Sequence, residues 1–443
     1  MLTRLRHPFT SEGTASDRPF GAAEHAPLVL RHPVSVISND WAPTLAFAVS
    51  LGRQGVPLDF YGPGVGRWSR HCRRRGACPP VEQANRFLPW LKERVRSGQI
   101  QRLAPTTDLI AYYLARIRSE FSPEVQRAIT PLAELERCLI KTRFSVACNE
   151  VGQRVPAFAA PDDVDGAIVD ARSIGYPLIV KPKSHLVVGA SDRGQLVHDE
   201  ATLLRVYRRY EVALGQEEIA DSYPELRWPL LQAYLPSAQR CVYSVSGIKD
   251  ADSGIVAAIL TSKREQWPPD IGVSTVQVTC NDERILNVGL KTIDRLISRG
   301  IFELELLTDG DQLLAIDLNP RAFGFIMLDM AVGNDLPWLW FQATLATVNP
   351  LRQSAPLPEL ESRFVVPYLF AHGIRSLLGP HGVPNRTTPR SARWISMLGH
   401  SSDPVPMLLA NLRLLRLLPH RGGLLRPFIG HAWRAGRVET GVT

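Results

Sequence analysis

Five side chains able to bind a cation or an anion lie close together in the stretch IFELELLTDGDQLLAIDLNPRAFGF, residues 301–325: Glu303, Glu305, Asp317, Asn319 and Arg321. Two apolar-rich runs, Ile301 to Leu307 and Leu313 to Leu318, flank Thr308-Asp309-Gly310-Asp311. An Asp-Gly step between such runs predicts a β-hairpin. Side chains two apart on a strand share a face, so Glu303 goes with Glu305 and Asp317 with Asn319. Carboxylates crowded beside an apolar sheet need positive charge between them, and one or two Mg2+ ions carrying a polyphosphate would supply it. Arg321, just past the second strand, would then meet phosphate oxygens as a bidentate donor. The competing reading is an exposed hairpin with a solvated acidic face.

The cations that a polyphosphate needs occur upstream. Lys181 ends the apolar strand Leu178-Ile179-Val180 and precedes Pro182, a place where a half-buried ammonium requires a partner. Beyond it runs the polar loop Ser184 to Gly194, which includes Gly189 and can close over phosphates through backbone N–H groups. Lys141 falls inside a helix predicted over Leu132 to Val151. Lys263 and Arg264 end the second strand of an antiparallel pair, Val242 to Ile248 and Ile255 to Thr261. Gly272 to Thr275 reads as a flexible loop before a strand at Val276 to Thr279.

The elements that position these groups alternate along the chain. A strand at Pro33 to Ser38, a helix at Thr44 to Leu51 capped by Asn39 or Asp40, and a strand at Val56 to Tyr61 form a β-α-β step, which implies a parallel sheet. No GxGxxG follows the first strand, which argues against a dinucleotide site. Arg67 to Arg75, RWSRHCRRR, reads as a positive loop. Helices are predicted at Phe87 to Val95, at Val164 to Ile174 behind an Asp162 or Asp163 cap, at Glu200 to Glu211 and at Asn287 to Ser298.

A chain of 443 residues exceeds what one core serves, and 45% hydrophobic with 21% charged residues places it among globular proteins. Its net charge of +8 is uneven: from Ala346 onward there are 12 Arg, no Lys and four acidic residues. A basic tail of this kind can meet anionic lipid or nucleic acid, or simply form an Arg-rich surface. The helix predicted at Met407 to Leu418 is read as packing on the parent domain, with an anionic membrane interface as the weaker alternative. Arg363 to Phe370 is a strand or a short helix. Six Cys without CxxC spacing suggest neither zinc nor a disulfide framework and fit a reducing, cytoplasmic setting. There is no 18-residue apolar run, and the first 32 residues read as a flexible leader.

Taken in order, LIKTRF around Lys141, YPLIVKPK around Lys181, LLQAYLP, TSKREQWPPDIGVST and ELELLTDGDQLLAIDLNPRAFG resemble the landmarks of an ATP-grasp ligase. The resemblance covers roughly Leu132 to Leu345, and residues 33–131 are similar to the α/β domain that precedes it in that superfamily. It implies a mixed α/β and α+β, ATP-grasp fold with an N-terminal parallel sheet. Its parts would be a leader over 1–32, the α/β domain over 33–131, a catalytic region over 132–348 with a nucleotide-covering subdomain near 155–235, and a basic extension over 349–443.

The resemblance also implies roles. Lys141 and Lys181 reach the phosphates of ATP, Ser184, Gly189 and Gly194 belong to a phosphate-covering loop, and Gln232, Tyr234 and Leu235 belong to the hinge that reads adenine. Glu305, Asp317 and Asn319 are the ligands of Mg2+, or of Mn2+ in its place, with Glu303 the alternative to Glu305. Arg321 steadies the transferred phosphoryl group, and Lys263 or Arg264 neutralises charge on the γ-phosphate or the bound carboxylate. The activity implied is ATP-dependent joining of a carboxylate to an amine, most similar to ligases of amino acids such as those resembling D-aspartate ligase. Small-molecule substrates and a homodimer go with it; a nucleic-acid partner does not. The alternatives are a regulatory nucleotide-binding module and an enzyme of carboxylase or carbamoyl-phosphate type.

Overall fold

The computed structural model describes residues 32–39, 41–187, 194–214, 218–239, 242–267, 271–348, 356–365 and 393–420. Three sheets organise them.

The first sheet holds β1 (Val34–Ile37), β2 (Leu58–Tyr61) and β3 (Cys72–Gly76), parallel and in that order. The helix Ala42–Arg53 links β1 to β2, and its small and apolar side chains from Ala42 to Leu51 are all buried. The expected cap is displaced. Asn39 Oδ1 accepts the Trp41 N–H at 3.0 Å and the Thr44 hydroxyl, while the residue at the N-cap is Trp41, which makes no side-chain cap bond. Asp40 lies outside the described residues. The Arg67 to Arg75 run is not a loop throughout, because its second half is the edge strand β3. Arg73 there pairs bidentately with buried Asp59, and the guanidinium groups of Arg67 and Arg75 lie over the Trp68 ring at 5.5 and 5.0 Å.

The second sheet comprises β4 (Phe158–Ala159), β5 (Leu178–Lys181), β6 (Gln195–Val197) and β7 (Leu230–Ala233), antiparallel in the order β4-β7-β5-β6. Among the helices beside it is Val164–Ile174, whose Asp163 cap accepts the Gly166 N–H at 2.6 Å.

The third sheet is the largest: β8 (Val242–Asp250), β9 (Gly254–Trp267), β10 (Val273–Cys280), β11 (Gly300–Asp309), β12 (Gln312–Asn319), β13 (Leu360–Arg363) and β14 (Arg393–Ser396). Its order is β12-β11-β8-β9-β10-β13-β14, antiparallel except for the last pair. Strand β10 begins at Val273, where a flexible loop was expected, because Val273 and Ser274 already pair with the end of β9 and Thr275 bulges between them and Val276. Residues 366–370 of the expected Arg363 to Phe370 element lie outside the described residues.

One predicted helix is two. Leu132–Leu139 and Lys141–Glu150 are separated at Ile140, which turns to extended backbone and bridges Ser184. The Lys141 N–H donates to the Lys183 carbonyl at 2.7 Å, so Lys141 opens the second helix instead of lying within one. The sheets are not separately cored. Phe47 of the N-terminal helix meets Trp340 edge-on at 5.3 Å, within one cluster that also takes in Ile301 of β11 and Met397 after β14. The helix Pro404–His420 closes on the same core through buried Ala410, and the preceding Asp403 accepts bonds from the Ser69 hydroxyl and the Arg70 N–H. No helix among the described residues is long and apolar enough to cross a membrane.

Candidate active site

The β11–β12 pairing decides where the acids go. Glu303 stands opposite Asn319 and Glu305 opposite Asp317, so all four line one cleft of about 390 Å³. The register steps immediately after Glu305, leaving Ile316 without a partner on β11. This bulge lets consecutive residues, Ile316 and Asp317, both border the cleft.

Each acid meets a different neighbour. The Lys141 ammonium lies 2.6 Å from Asp317 Oδ1, and His185 Nε2 is 3.6 Å from the other oxygen. Burial alone would raise the Asp317 pKa, but Lys141, His185 and Lys181 outweigh it and hold the carboxyl well below the usual range. Glu305 faces the Lys263 ammonium at 3.4 Å. Glu303 is more enclosed, accepting the Ser244 hydroxyl at 2.7 Å and the Asn319 amide N–H at 2.6 Å. Burial first, and then the charge of Glu305, push its carboxyl upward. A carboxyl whose ionisation is opposed by burial and that already accepts from two donors is the weaker candidate for a metal ligand.

Lys181 is the exception to this pairing. It reaches the cleft from the end of β5, and among the described residues its ammonium has neither a hydrogen bond nor an ion pair. Burial, and secondarily the nearby Lys141 charge, lower its pKa to about 7. A buried ammonium beside another ammonium is unfavourable until an anion arrives.

Arg321 is already engaged. Its Nε and Nη2 donate to the two oxygens of Asp108 at 2.8 and 3.1 Å, Nη1 donates to the Ala322 carbonyl, and Nη2 also reaches Asn319 Oδ1 at 2.9 Å. Burial opposes ionisation of Asp108, yet Arg321 outweighs it and lowers the pKa.

Other expected residues separate. Gln232 and Leu235 border the cleft, and Leu235 packs against Leu307 and Leu314 of the hairpin. Arg264 does not: it follows Lys263 on β9, so it points to the other face, and it is exposed. Ser184 turns its hydroxyl to the Leu186 N–H at 3.1 Å and stabilises a turn. Tyr234 donates its backbone N–H to the Pro177 carbonyl at 3.4 Å. Gly194 approaches the Lys181 side chain so closely that a Cβ there would lie 3.2 Å from Lys181 Cβ. Gly189 lies outside the described residues, as do 188–193 as a whole. The cleft also gathers Trp41, Asp108 and His185, which sequence reasoning did not assign. Asp108 carried a signal as the acidic first residue of the helix Asp108–Arg116, directly after its Thr107 cap.

The donor set fits a hard cation. Among the described residues no cluster of three or more His, Cys, Asp or Glu is arranged to hold a metal unaided. Mg2+ does not require one, because it binds through one or two carboxylates and completes its octahedron with phosphate oxygens and water. Glu305 and Asp317, paired across the hairpin, offer those carboxylates.

No protein-family model matches the chain. Over 200 residues it is 26% identical to the carbamoyl phosphate synthase large chain of Pyrobaculum aerophilum, a match covering 43% of this chain and 18% of that one. The chain spans about a fifth of the length of the curated relatives it matches. Among solved structures it is similar to L-amino acid ligase from Bacillus licheniformis, at 14% identity and a TM-score of 0.56, covering 73% of this chain and 76% of that one. It is equally similar to the biotin carboxylase domain of the Hydrogenobacter thermophilus 2-oxoglutarate carboxylase, a dimer solved with ADP, its magnesium salt and bicarbonate. That match has 15% identity and a TM-score of 0.56, and covers 72% and 71%. The chain has the ATP-grasp fold.

In ATP-grasp terms the cleft lies between the four-stranded sheet, which brings Lys181 and Gln232, and the seven-stranded sheet, which brings the hairpin acids and Lys263. The N-terminal parallel sheet is present, and that region contributes Trp41 and Asp108 to the lining of the cleft.

Proposed function

We propose that this chain is an ATP-dependent ligase that activates a carboxylate as an acyl phosphate and joins it to an amine, releasing ADP and phosphate. The observation that carries the reading is Lys181: a half-buried ammonium, unpaired among the described residues, next to Lys141 and lining the same cleft as two carboxylates. That arrangement is poor for an empty protein and good for a polyphosphate held between lysines and a divalent cation.

Lys141 and Lys181 would bind the phosphate chain, and Gln232 to Leu235 would border the adenine. Glu305 and Asp317 would hold Mg2+, with Mn2+ an acceptable substitute, and Asn319 beside them. When bound, the metal supplies charge compensation on the reacting phosphate oxygens. Lys263 stands beside Glu305, where it can neutralise the oxygens of the transferred phosphoryl group. Arg321, fixed by Asp108, orients Asn319. The carboxylate oxygen attacks the γ-phosphorus and ADP leaves; the amine nitrogen then attacks the acyl carbon and phosphate leaves. We divide the chain for this task into a leader (1–32), an N-terminal domain (33–131), a catalytic region (132–348) and a basic extension (349–443). The cytoplasm suits the five free cysteines among the described residues, and a homodimer is the assembly we expect.

Carbamoyl-phosphate chemistry is the second reading, favoured by the identity of the sequence relatives, with bicarbonate as the activated carboxylate. One assay separates the two. Phosphate release from MgATP that depends on an organic carboxylate, and that Lys181→Ala and Asp317→Ala both abolish, supports the ligase; release that depends on bicarbonate alone supports the alternative.

A further inference from the structure

A second cavity, which shares no lining residue with the cleft, has a buried cation in its wall. It measures about 450 Å³ and is lined by residues of the N-terminal region, among them Arg102, Glu120 and Glu124, and by Thr344 and Leu345 at the end of the helix Leu336–Ala343. Arg102 is 5% exposed, and burial lowers its pKa to about 10 against the opposing charge of Glu124, so it is ionised at neutral pH. Its Nε donates to the Thr344 hydroxyl at 2.8 Å and its Nη2 to the Thr344 carbonyl at 3.4 Å, with the Phe341 ring 6.0 Å away. Both oxygens are uncharged. Two of the five guanidinium N–H groups are spent in this way, and those on Nη1 have no partner among the described residues. Neither acid of the cavity pairs with Arg102: Glu120 accepts two bonds from Arg96, at 2.9 and 2.6 Å, and Glu124 is exposed.

We infer that this cavity is a binding site for a small α-amino acid zwitterion, its carboxylate on Arg102 and its ammonium toward Glu124. A guanidinium taken out of water is stabilised by an oxyanion that accepts from its fork, and the neutral oxygens of one threonine do not replace it. The acids decide which anion fits. A phosphate dianion would enter a space bordered by Glu120 and Glu124 and be repelled, whereas a zwitterion brings a positive group that Glu124 attracts. The volume is that of a small-molecule pocket. Phe121 and Leu345 are among the apolar residues of the lining, so an aliphatic amino acid is the first probe.

The test is isothermal titration of the full-length protein, without nucleotide, with L-leucine, with 4-methylvalerate, which lacks the ammonium, and with inorganic phosphate. L-leucine should bind, and 4-methylvalerate should bind about fivefold more weakly. Arg102→Met should weaken leucine binding by about tenfold or more. Leu345→Trp, which fills the cavity from a half-buried wall, should abolish it and gives the answer if Arg102→Met does not fold. Glu124→Gln, at an exposed position, should bring leucine and 4-methylvalerate to the same affinity. The inference is overturned if leucine does not bind at millimolar concentration, or if its binding survives both Arg102→Met and Leu345→Trp. Phosphate binding more tightly than leucine, or 4-methylvalerate binding as tightly as leucine to the unaltered protein, overturns it as well. None of these outcomes touches the ligase reading, which carboxylate-dependent phosphate release decides.

Discussion

Asp108 and Arg321, 213 positions apart in sequence, face each other as a two-bond ion pair, with Nε and Nη2 of the guanidinium 2.8 and 3.1 Å from the two carboxylate oxygens. The pair ties the first turn of a helix in the N-terminal region to a residue two positions past the acidic hairpin. It leaves Arg321 with no free charge, which makes it a positioning residue for Asn319. Asp108→Ala would strand a buried guanidinium and should destabilise the protein by about 3–5 kcal/mol in denaturant unfolding. The double variant Asp108→Leu with Arg321→Met should recover most of that stability while ligase turnover stays lost.

Lys181 gives a pH prediction whose sign follows from its lowered pKa. The folded group titrates at about 7 and the free side chain at 10.5, so the nucleotide-free fold binds fewer protons than the unfolded chain between those values. Its stability should therefore rise as pH increases from 7 to 10.5, and the cost of the buried charge is fully present below pH 7. ATP favours the protonated form. Calorimetry at pH 8 in buffers of different ionisation enthalpy should show proton uptake on MgATP binding, and Lys181→Met should remove it.

The two glutamates of β11 should behave differently. Glu303 is enclosed by Ser244 and Asn319, whereas Glu305 stands opposite Asp317 with Lys263 beside it. Glu305→Gln should raise the Mg2+ concentration needed for half-maximal turnover by more than about a hundredfold, beyond what loss of an outer-shell partner causes. Glu303→Gln, which keeps hydrogen-bonding atoms in place, should change it by roughly tenfold or less. Metal titrations of turnover for the two variants decide the assignment.

Gly194 tests how β5 is positioned. A methyl group there would lie 3.1 Å from Ile179 Cγ2 and 3.2 Å from Lys181 Cβ, on backbone with φ of +153°. Gly194→Ala should push the end of β5 and weaken ATP binding by about tenfold, corresponding to an overpacking cost of about 1.4 kcal/mol. Isothermal titration with a non-hydrolysable ATP analogue measures it directly.

The sequence carried the hairpin well, because an apolar period and an Asp-Gly turn are local signals, and the cross-strand pairing of Glu305 with Asp317 follows once the turn is placed. Lys181 was legible for the same reason, as the charged end of an apolar strand. The break at Ile140 was not. It depends on a partner at Ser184, more than forty positions away, which no helical periodicity can report. Lys263 and Arg264 illustrate a smaller limit: neighbouring cations on a strand face opposite ways, and only the register of the surrounding sheet shows which one looks into the cleft. Asp108 stayed hidden because its partner belongs to another part of the chain.

The bridge between Ile140 and Ser184 has a mechanical result. Lys141 follows one end of it, and its N–H is bonded to the carbonyl of Lys183, two positions beyond Lys181. The backbone segments that carry the two lysines are thus joined by main-chain bonds before any nucleotide enters. A shift of one segment therefore carries the other with it, and what is left to order on binding is the Lys181 side chain.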